Sequence, residues 1–308
     1  MATPAPRQFE GRILHRQDED IEDQGVAFDV GTLVSRRNAL GVFGTGAGAL
    51  LLAACGVTSG GSSASSASSS SSAAAATGSS SAVPSDLEEM PTETAGPYPG
   101  DGSNGPDVLA ASGVERSDIT TSIDSDTRAE GVPMTVTLRL IDLTAEQAPL
   151  AGAAVYLWQA DAQGRYSMYS DGITDQTYLR GVQVAGEDGT VTFTSIVPGC
   201  YDGRWPHLHF EVFENKADMT DASNNVLTSQ IALPEDMCAE VYATSAYSGS
   251  AANMAKTSLE SDMVFADSYA QQLPEVSGSV SEGYTVSIDV GIDVTTAQQQ
   301  SMGAPGRP

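Results

Sequence analysis

The feature that most restricts the fold of this chain is an alternation of apolar and polar residues with a period of two. Residues 134–141 place Val136, Leu138 and Leu140 on one face of a strand, with threonine and arginine side chains on the other. Residues 153–160 are apolar on both faces, as expected for the central strand of a sheet. These two runs therefore predict buried β-strands.

Similar runs recur between Gly, Asp and Pro residues, at 190–196, 207–213 and 284–294. Short alternating strands bounded by such turn residues are typical of sandwiches and barrels. We therefore predict one all-β domain, a β-sandwich spanning residues 86–297, with one short helix near residues 234–242. Long loops at 92–114 and 167–176 are rich in Gly and Pro or polar, and such loops on a rigid sandwich usually carry the functional site.

An export signal is predicted at the start of the chain. Arg36 and Arg37 precede the uncharged run 39–54, which is too short and too rich in glycine for a bilayer span of about 20 apolar residues. A twin-arginine pair before a short apolar stretch resembles the signal that exports folded proteins. Residues 1–54 are therefore interpreted as a twin-arginine signal segment.

Cys55 follows Leu-Ala-Ala at the end of this run, as the lipidated cysteine of a bacterial lipoprotein does. We favour lipidation, and the alternative of an ordinary cleavage site with an incidental cysteine stays open. Residues 55–85 are almost all Ser, Ala, Gly and Thr, so they are predicted to be a flexible tether, and residues 298–308 a flexible tail. We therefore expect an exported chain on the cell surface or the periplasmic or extracellular side, anchored at Cys55.

The chain is strongly acidic, with 40 acidic and 14 basic residues and a formal net charge of −26. Seven acidic residues and five arginines lie in residues 1–54, so the remaining chain keeps 33 acidic against nine basic residues. A surface of this charge repels phosphate backbones and anionic headgroups. We therefore expect no nucleic-acid partner, and membrane contact only through the lipid anchor.

Only three histidines occur in the sequence, and His207 and His209 are the two that follow the signal segment. Positions i and i+2 of a strand share a face, so these two imidazoles point in the same direction. Histidine is the commonest metal ligand, because its neutral ring nitrogen is available near pH 7. The pair therefore indicates a metal site.

The residues alone leave two kinds of further ligand open. Glu211 shares the histidine face, so it would complete a 2-His-1-carboxylate iron(II) site. Tyr201, six residues before His207, offers a phenolate, a hard anionic donor that suits a trivalent cation such as Fe(III). The absence of a nearby third histidine or cysteine cluster in the sequence disfavours the common zinc sites.

Four stretches together resemble the intradiol ring-cleavage dioxygenases, the family of catechol and protocatechuate dioxygenases. Residues 189–210, GTVTFTSIVPGCYDGRWPHLHF, are similar to the core of that family. The other three stretches are TAGPYP at 94–99, VYLWQADAQGRY at 155–166 and LTSQ at 227–230. The similarity covers most of residues 90–240, and the combination is far more specific than any one stretch.

The resemblance implies a non-haem Fe(III) ion held by two tyrosines and two histidines. The matching positions are Tyr166, Tyr201, His207 and His209. Tyr166 is preferred to the nearby Tyr169 because it directly follows a Gly-Arg pair. By the same resemblance, Tyr201 leaves the metal to accept a substrate proton, and the other three residues remain ligands.

Four residues are assigned to the substrate by the resemblance. Arg204 matches an arginine that stabilises negative charge on the ring, and Gln230 matches a glutamine near the same ring carbon. Pro97 and Tyr98 match residues that line the mouth of the pocket. A salt bridge in an acidic protein is the competing interpretation of Arg204.

The implied activity is cleavage of a catechol- or hydroxyquinol-type diol between its two hydroxylated carbons. Both atoms of O₂ enter the product, a cis,cis-muconate-type diacid. The alternative, from a different class, is a non-catalytic cell-surface binding lipoprotein on the same sandwich. The expected partners are therefore a small aromatic diol and O₂, and the oligomeric state stays open.

Cys200 and Cys238 are the two cysteines beyond Cys55. In an exported domain they are candidates for a disulfide that would pin the loop of Tyr201. Two buried free thiols are the alternative, because the sequence does not give the Cα separation that decides between them.

Overall fold

The structure is a computed structural model that describes residues 83–296, together with two short paired strands, β1 (Gln8–Phe9) and β2 (Arg12–Ile13). The rest of the predicted signal segment, Cys55, most of the tether and the tail lie outside the described residues. The predictions made for those parts stay predictions.

The described domain is built mainly from strands. In chain order these are β3 (Pro133–Asp142), β4 (Ala148–Pro149), β5 (Ala154–Trp158), β6 (Arg180–Val184), β7 (Thr190–Ile196), β8 (His207–Phe213), β9 (Leu227–Ala232), β10 (Glu275–Ser279) and β11 (Gly283–Ile292). The helices are α1 (Glu235–Tyr242), α2 (Ser250–Met254) and 3₁₀ turns at Asp218–Thr220, Ala222–Asn224, Ser245–Tyr247 and Ala270–Gln272. No helix within residues 83–296 combines the length and the apolar character that a membrane crossing needs.

Strands β3 to β11 form two sheets, and the predicted all-β sandwich is confirmed. One sheet has the order β10-β11-β3-β4, with β7 also paired to β3. The other sheet has the order β6-β5-β8-β9 and is antiparallel throughout. The pair β11–β3 is parallel, an exception that the strand pattern alone does not predict.

The core lies between the two sheets and is filled by the alternating residues that the sequence marks as inward. Val136 and Leu138 of β3 have no exposed surface, and neither have Leu157 of β5 or Leu208 and Phe210 of β8. These side chains belong to one cluster of buried residues. Burial of one side chain of this size stabilises the folded state by about 1.5–3 kcal/mol. The alternation of apolar residues therefore determines which face of each strand is turned towards the core.

The four-stranded sheet is covered on its second face as well, which explains why β5 is apolar on both sides. Tyr156 and Trp158 point away from the sandwich core and pack in a second cluster with Tyr98 and Tyr166. Tyr98 comes from the predicted loop 92–114, which therefore folds over the outer face of this sheet. The functional residues of β8 lie on this covered outer face.

The predicted short helix is confirmed as α1. Pro234 precedes it in an extended conformation, and Glu235 and Asp236 place carboxylates in its first turn, where the helix dipole favours negative charge. The helix buries Met237 and Val241 against the sandwich core.

Candidate metal centre

His207 and His209 lie on the outer face of β8, as the period-two pattern predicts. Both side chains are buried, and their Nε2 atoms are 3.1 Å apart. Leu208, between them, points into the sandwich core. The strand therefore presents two imidazole nitrogens side by side at a site enclosed by loops.

The protonation of the His207 ring follows from its neighbours. Its Nδ1 atom is hydrogen bonded to the backbone carbonyl of Trp205, and a carbonyl only accepts, so Nδ1 carries the proton. The lone pair of Nε2 is therefore directed at the site. Burial, together with the Arg204 charge, lowers the pKa of His207, and burial, His207 and Arg204 lower the pKa of His209. Both rings are neutral at pH 7 and are available as donors to a metal.

Trp158 and Gly96 enclose the ring of His209. The indole of Trp158, the residue opposite His209 on β5, stacks on it with ring centroids 4.9 Å apart and an interplanar angle of 8°. Gly96 approaches from the loop above, where a Cβ atom would lie 3.3 Å from the imidazole Cε1. The ring is therefore fixed on both sides.

Two tyrosine hydroxyls complete the cluster. The Oη atom of Tyr166 lies 3.2 Å from Nε2 of His209 and 3.5 Å from Nε2 of His207. The Oη atom of Tyr201 lies 3.2 Å from Nε2 of His207. Tyr169 does not join them, because its hydroxyl accepts from the backbone N–H of Gly100 and donates to Asn104. The structure therefore brings together the four residues chosen as ligands, and places Tyr166 rather than Tyr169 at the histidines.

Two glycines bring the loops of the tyrosines into contact. The N–H of Gly199 donates to the carbonyl of Asp161, and a Cβ atom on Gly199 would lie 2.5 Å from the carbonyl oxygen of Ala162. Gly164 has a φ of +78°, and a Cβ atom there would lie 3.1 Å from Cβ of Tyr201. Larger residues at either position would push the backbone segments apart.

The donor set fits a metal ion that prefers nitrogen and phenolate oxygen. It consists of two neutral imidazoles and two phenols, and phenolate suits a hard trivalent cation. No group of three His, Cys, Asp or Glu side chains that could hold a metal occurs among residues 83–296. The Glu211 alternative for an iron(II) site is therefore wrong for the described domain. Glu211 faces Thr228 and Tyr156 further along the sheet.

Arg204 and Gln230 lie beside this cluster. Gln230 is opposite His209 on β9, and its Oε1 atom accepts a 2.7 Å hydrogen bond from Nη2 of Arg204. The Gln230 amide also donates to the carbonyl of Thr94, 2.9 Å away. Arg204 is buried and interacts electrostatically with both Tyr201 and Tyr166. The glutamine therefore links the arginine to the loop above the site.

Tyr98 and Pro97 lie in that loop. The Tyr98 ring packs on Tyr166 with centroids 4.8 Å apart and an angle of 32°. The carbonyl of Pro97 accepts a hydrogen bond from Asn104, 2.8 Å away. Both residues are therefore held over the face of the sheet that carries the histidines.

The sequence of this region matches a known family. Residues 104–239 match Dioxygenase_C, described as a dioxygenase. The chain thus carries a Dioxygenase_C domain and is similar to the intradiol ring-cleavage dioxygenases. An intradiol ring-cleavage dioxygenase from Tetranychus urticae has a similar structure, with a TM-score of 0.55 and 26% identity, over 70% of this chain and 98% of that one.

Two curated relatives match shorter segments of the dioxygenase domain. Hydroxyquinol 1,2-dioxygenase from Rhizobium sp. (strain MTP-10005) is 40% identical over 72 residues, which is 23% of this chain and 24% of the relative. Chlorocatechol 1,2-dioxygenase from Rhodococcus opacus is 41% identical over 54 residues, 18% of this chain and 21% of the relative. The chain thus spans about a quarter of the length of these relatives or less.

Three residues near the site were not predicted from the sequence, because they belong to no recognisable motif. Asp262 is fully buried and pairs with Arg204, 58 residues earlier, with a Nε–Oδ2 distance of 3.0 Å. Glu93 is a buried carboxyl group hydrogen bonded to Gln272, and burial, then Asp267, raises its pKa to about 8. The third residue is Arg180.

Arg180 has no exposed surface and holds the loop above the site. Its guanidinium donates to the backbone carbonyls of Tyr98, Pro99 and Ser167 at 2.7–3.0 Å. It also donates to the hydroxyls of Ser167 and Tyr156, both 3.0 Å away. All five N–H groups of the side chain are therefore used.

The possible disulfide between Cys200 and Cys238 is not formed, and that prediction is corrected: both are buried free thiols. The Cys200 thiol contacts the carbonyl of Arg204 instead, at 3.4 Å, and burial raises the pKa of Cys200 to about 12. Burial also raises the pKa of Cys238. Thiols that stay protonated are poor nucleophiles for disulfide formation. Helix α2 holds the Tyr201 loop through hydrogen bonds from Cys200 N to Ser250 and from Asn253 to Cys200 O.

Proposed function

We propose that the dioxygenase domain binds a non-haem Fe(III) ion and cleaves a catechol- or hydroxyquinol-type diol between its two hydroxylated carbons. Both atoms of O₂ enter the product, a cis,cis-muconate-type diacid. The observation that carries this proposal is the set of four donor atoms from Tyr166, Tyr201, His207 and His209, whose contacting pairs are 3.1–3.5 Å apart.

These four residues would hold the ion. When bound, Fe(III) would withdraw electrons from the two diol oxygens and so prepare the ring for reaction with O₂. The chain's own contribution begins with the His207 Nδ1–H bond to a backbone carbonyl, which keeps Nε2 available. The second face of the sheet, covered by Trp158 and the loop of Tyr98, keeps the site enclosed.

The two tyrosines would have different roles because their environments differ. Tyr166 is 1% exposed and packed against Tyr98, so it would stay in place. Tyr201 is half-buried on a turn that contains Gly203. We expect its hydroxyl to move away from His207 and to accept a proton from a substrate hydroxyl at Oη.

Arg204 would stabilise negative charge on the ring oxygen. Its Nη1 group makes no hydrogen bond to residues 83–296, whereas Nε and Nη2 are held by Asp262 and Gln230. A fixed donor aimed at developing charge lowers a barrier without reorganisation during the reaction. Gln230 would orient this guanidinium, and Pro97 and Tyr98 would border the ring of the substrate.

The test combines metal analysis with oxygen uptake on catechol and hydroxyquinol. We expect one iron per chain, a burgundy colour from tyrosinate-to-Fe(III) charge transfer, and a colourless diacid product. Tyr166→Phe should weaken and shift the colour and lose the activity, whereas Tyr169→Phe, whose hydroxyl faces Asn104, is the matched control and should keep both. A colourless protein with stoichiometric zinc, or a yellow semialdehyde product, would overturn the proposal.

We also propose that the chain is exported and anchored through Cys55. The support is the sequence alone: the twin arginines, the short apolar run and the Leu-Ala-Ala before Cys55. Fractionation of cells that express the full chain tests this. The wild-type protein should sediment with membranes and Cys55→Ser should not, and equal distribution of the two proteins would refute the anchor.

A further inference from the structure

The charge of Arg204, which donates to Gln230, is already balanced inside the protein. Asp262 accepts from Nε at 3.0 Å and from Nη2 at 3.3 Å, so it occupies the edge of the guanidinium that binds carboxylates in a bidentate manner. The Asp262 side chain has no exposed surface. The Nε and Nη2 groups of Arg204, which could bind a substrate carboxylate in a bidentate manner, are therefore already occupied by Asp262.

Asp262 is also fixed by the backbone, so it cannot turn away. The N–H groups of Trp205, Val264 and Phe265 donate to its two oxygens at 2.6–3.3 Å. Burial acts to raise the pKa of Asp262, but the Arg204 charge and these hydrogen bonds outweigh it, and the pKa lies below its ordinary value. The carboxylate is therefore a permanent negative charge beside the site.

Two other arginines, Arg180 and Arg165, do not offer a substrate carboxylate the positive charge that Asp262 neutralises on Arg204. Arg180 has no N–H group left for a ligand, because all five donate to Tyr98, Pro99, Ser167 and Tyr156. The Arg165 side chain is paired with Asp161 at 2.7 Å. A carboxylate on the substrate ring would meet no unoccupied guanidinium fork on any of these three arginines.

We propose that Asp262 is a specificity-determining residue that makes the site select uncharged aromatic diols over diols that carry a ring carboxylate. It acts by occupying and neutralising Arg204, and this inference rests on the proposed ring-cleaving function. The free Nη1 group of Arg204 still donates to a hydroxyl or phenolate oxygen. A second carboxylate on the same guanidinium is repelled by Asp262 and finds only one donor group.

The test uses the full-length, iron-loaded protein and oxygen uptake with catechol and 3,4-dihydroxybenzoate. The wild type should have a kcat/KM for catechol about 100-fold above that for 3,4-dihydroxybenzoate, because the ring carboxylate would leave water for a site where the Arg204 charge is already balanced by Asp262. In Asp262→Asn this ratio should shrink at least about tenfold, because an unbalanced guanidinium attracts the carboxylate. Asp289→Asn, which breaks the Arg139–Asp289 pair on the other sheet, is the matched control and should leave the ratio unchanged.

A second variant covers the case in which Asp262→Asn does not fold, since an unpaired buried charge is strongly destabilising. Arg204→Gln combined with Asp262→Asn removes both charges, so the ratio should stay at the wild-type value although both activities fall. Calorimetric binding of phenol and 4-hydroxybenzoate to each variant gives a readout that does not need turnover. The wild type and the double variant should bind phenol more tightly than 4-hydroxybenzoate, and this preference should shrink in Asp262→Asn.

The outcomes separate this inference from the proposed function. If the iron-loaded wild type cleaves neither diol, the proposed function fails. The role of Asp262 is then decided by the calorimetric preference for phenol over 4-hydroxybenzoate alone. If it cleaves catechol and 3,4-dihydroxybenzoate equally well, or if Asp262→Asn folds and keeps the wild-type ratio, the inference is wrong and the proposed function stands. A double variant that favours the carboxylated diol would also overturn it.

Discussion

Glu93 is expected to make the dioxygenase domain less stable as the pH rises, and Glu93→Gln should remove this effect. The Glu93 side chain is fully buried, one carboxyl oxygen accepts from Gln272 at 3.3 Å, and the other has no partner within residues 83–296. Burial and the negative charges of Asp267 and Asp262 raise its pKa, and Arg204 opposes them. Glutamine has the same shape and is neutral at every pH, so it resembles the protonated acid.

The size of the effect follows from the two pKa values. The pKa of Glu93 is about 8 in the folded domain and 4.5 ordinarily, so the folded state binds the proton more tightly than the unfolded state. The stabilisation is therefore complete below pH 4.5 and is lost as the pH rises towards 8. Between pH 5 and pH 8 the free energy of unfolding should fall by about 3 kcal/mol through this one group.

Urea unfolding at pH 5, 6.5 and 8 measures this directly. The difference between wild type and Glu93→Gln should change by about 3 kcal/mol over that range, in favour of the variant at pH 8. Glu187→Gln, which removes an exposed carboxyl, is the control for the loss of one negative charge. His207 and His209 are present in all three proteins, so their contribution cancels. Parallel stability curves for wild type and Glu93→Gln would refute the argument that Glu93 is protonated in the folded domain.

Three further predictions concern the metal cluster and its loops. His209→Ala should lose bound iron as measured by elemental analysis, and Tyr201→Phe should cleave no diol in oxygen uptake; ring cleavage by either variant would contradict the ligand assignment. Gly199→Ala should lower the free energy of unfolding by about 2–3 kcal/mol, measured in urea, because its Cβ atom would lie 2.5 Å from a backbone oxygen. A reducing agent should not change the melting temperature, because Cys200 and Cys238 are free thiols, and a drop would reveal a bridge.

The sandwich and the histidine face could be predicted because both depend on local periodicity. A residue's side of a strand is decided by its neighbours two positions away, so Val136, Leu138 and His207 are oriented by the pattern alone. The parallel pairing of β11 with β3 joins residues about 150 positions apart, as Arg139 and Asp289 show. No local pattern records such a pairing.

The cluster of four donors could be proposed only because the motifs around it resemble a family. The spacing of His207 and His209 indicates a metal, but Tyr166 reaches them across 41 and 43 residues, and Glu211 fits the strand pattern equally well. Asp262 and Glu93 lie in irregular segments, where the sequence does not indicate which side chains turn inward. The sequence could not decide between a disulfide and two free thiols at Cys200 and Cys238, because a count of cysteines gives no direction for a side chain.

Arg180 has a consequence for how the pocket can change. Its guanidinium donates hydrogen bonds to the backbone carbonyl oxygens of Tyr98 and Pro99 and so holds the loop above the site. A backbone carbonyl oxygen is present whatever the side chain at these positions. Exchange of the Tyr98 side chain, which packs on Tyr166, therefore alters the surroundings of the donor cluster while the path of the loop is kept. A library of substitutions at 98 and 99 with Arg180 retained should thus yield folded proteins of differing substrate range, whereas the same library without that arginine would lose the loop itself.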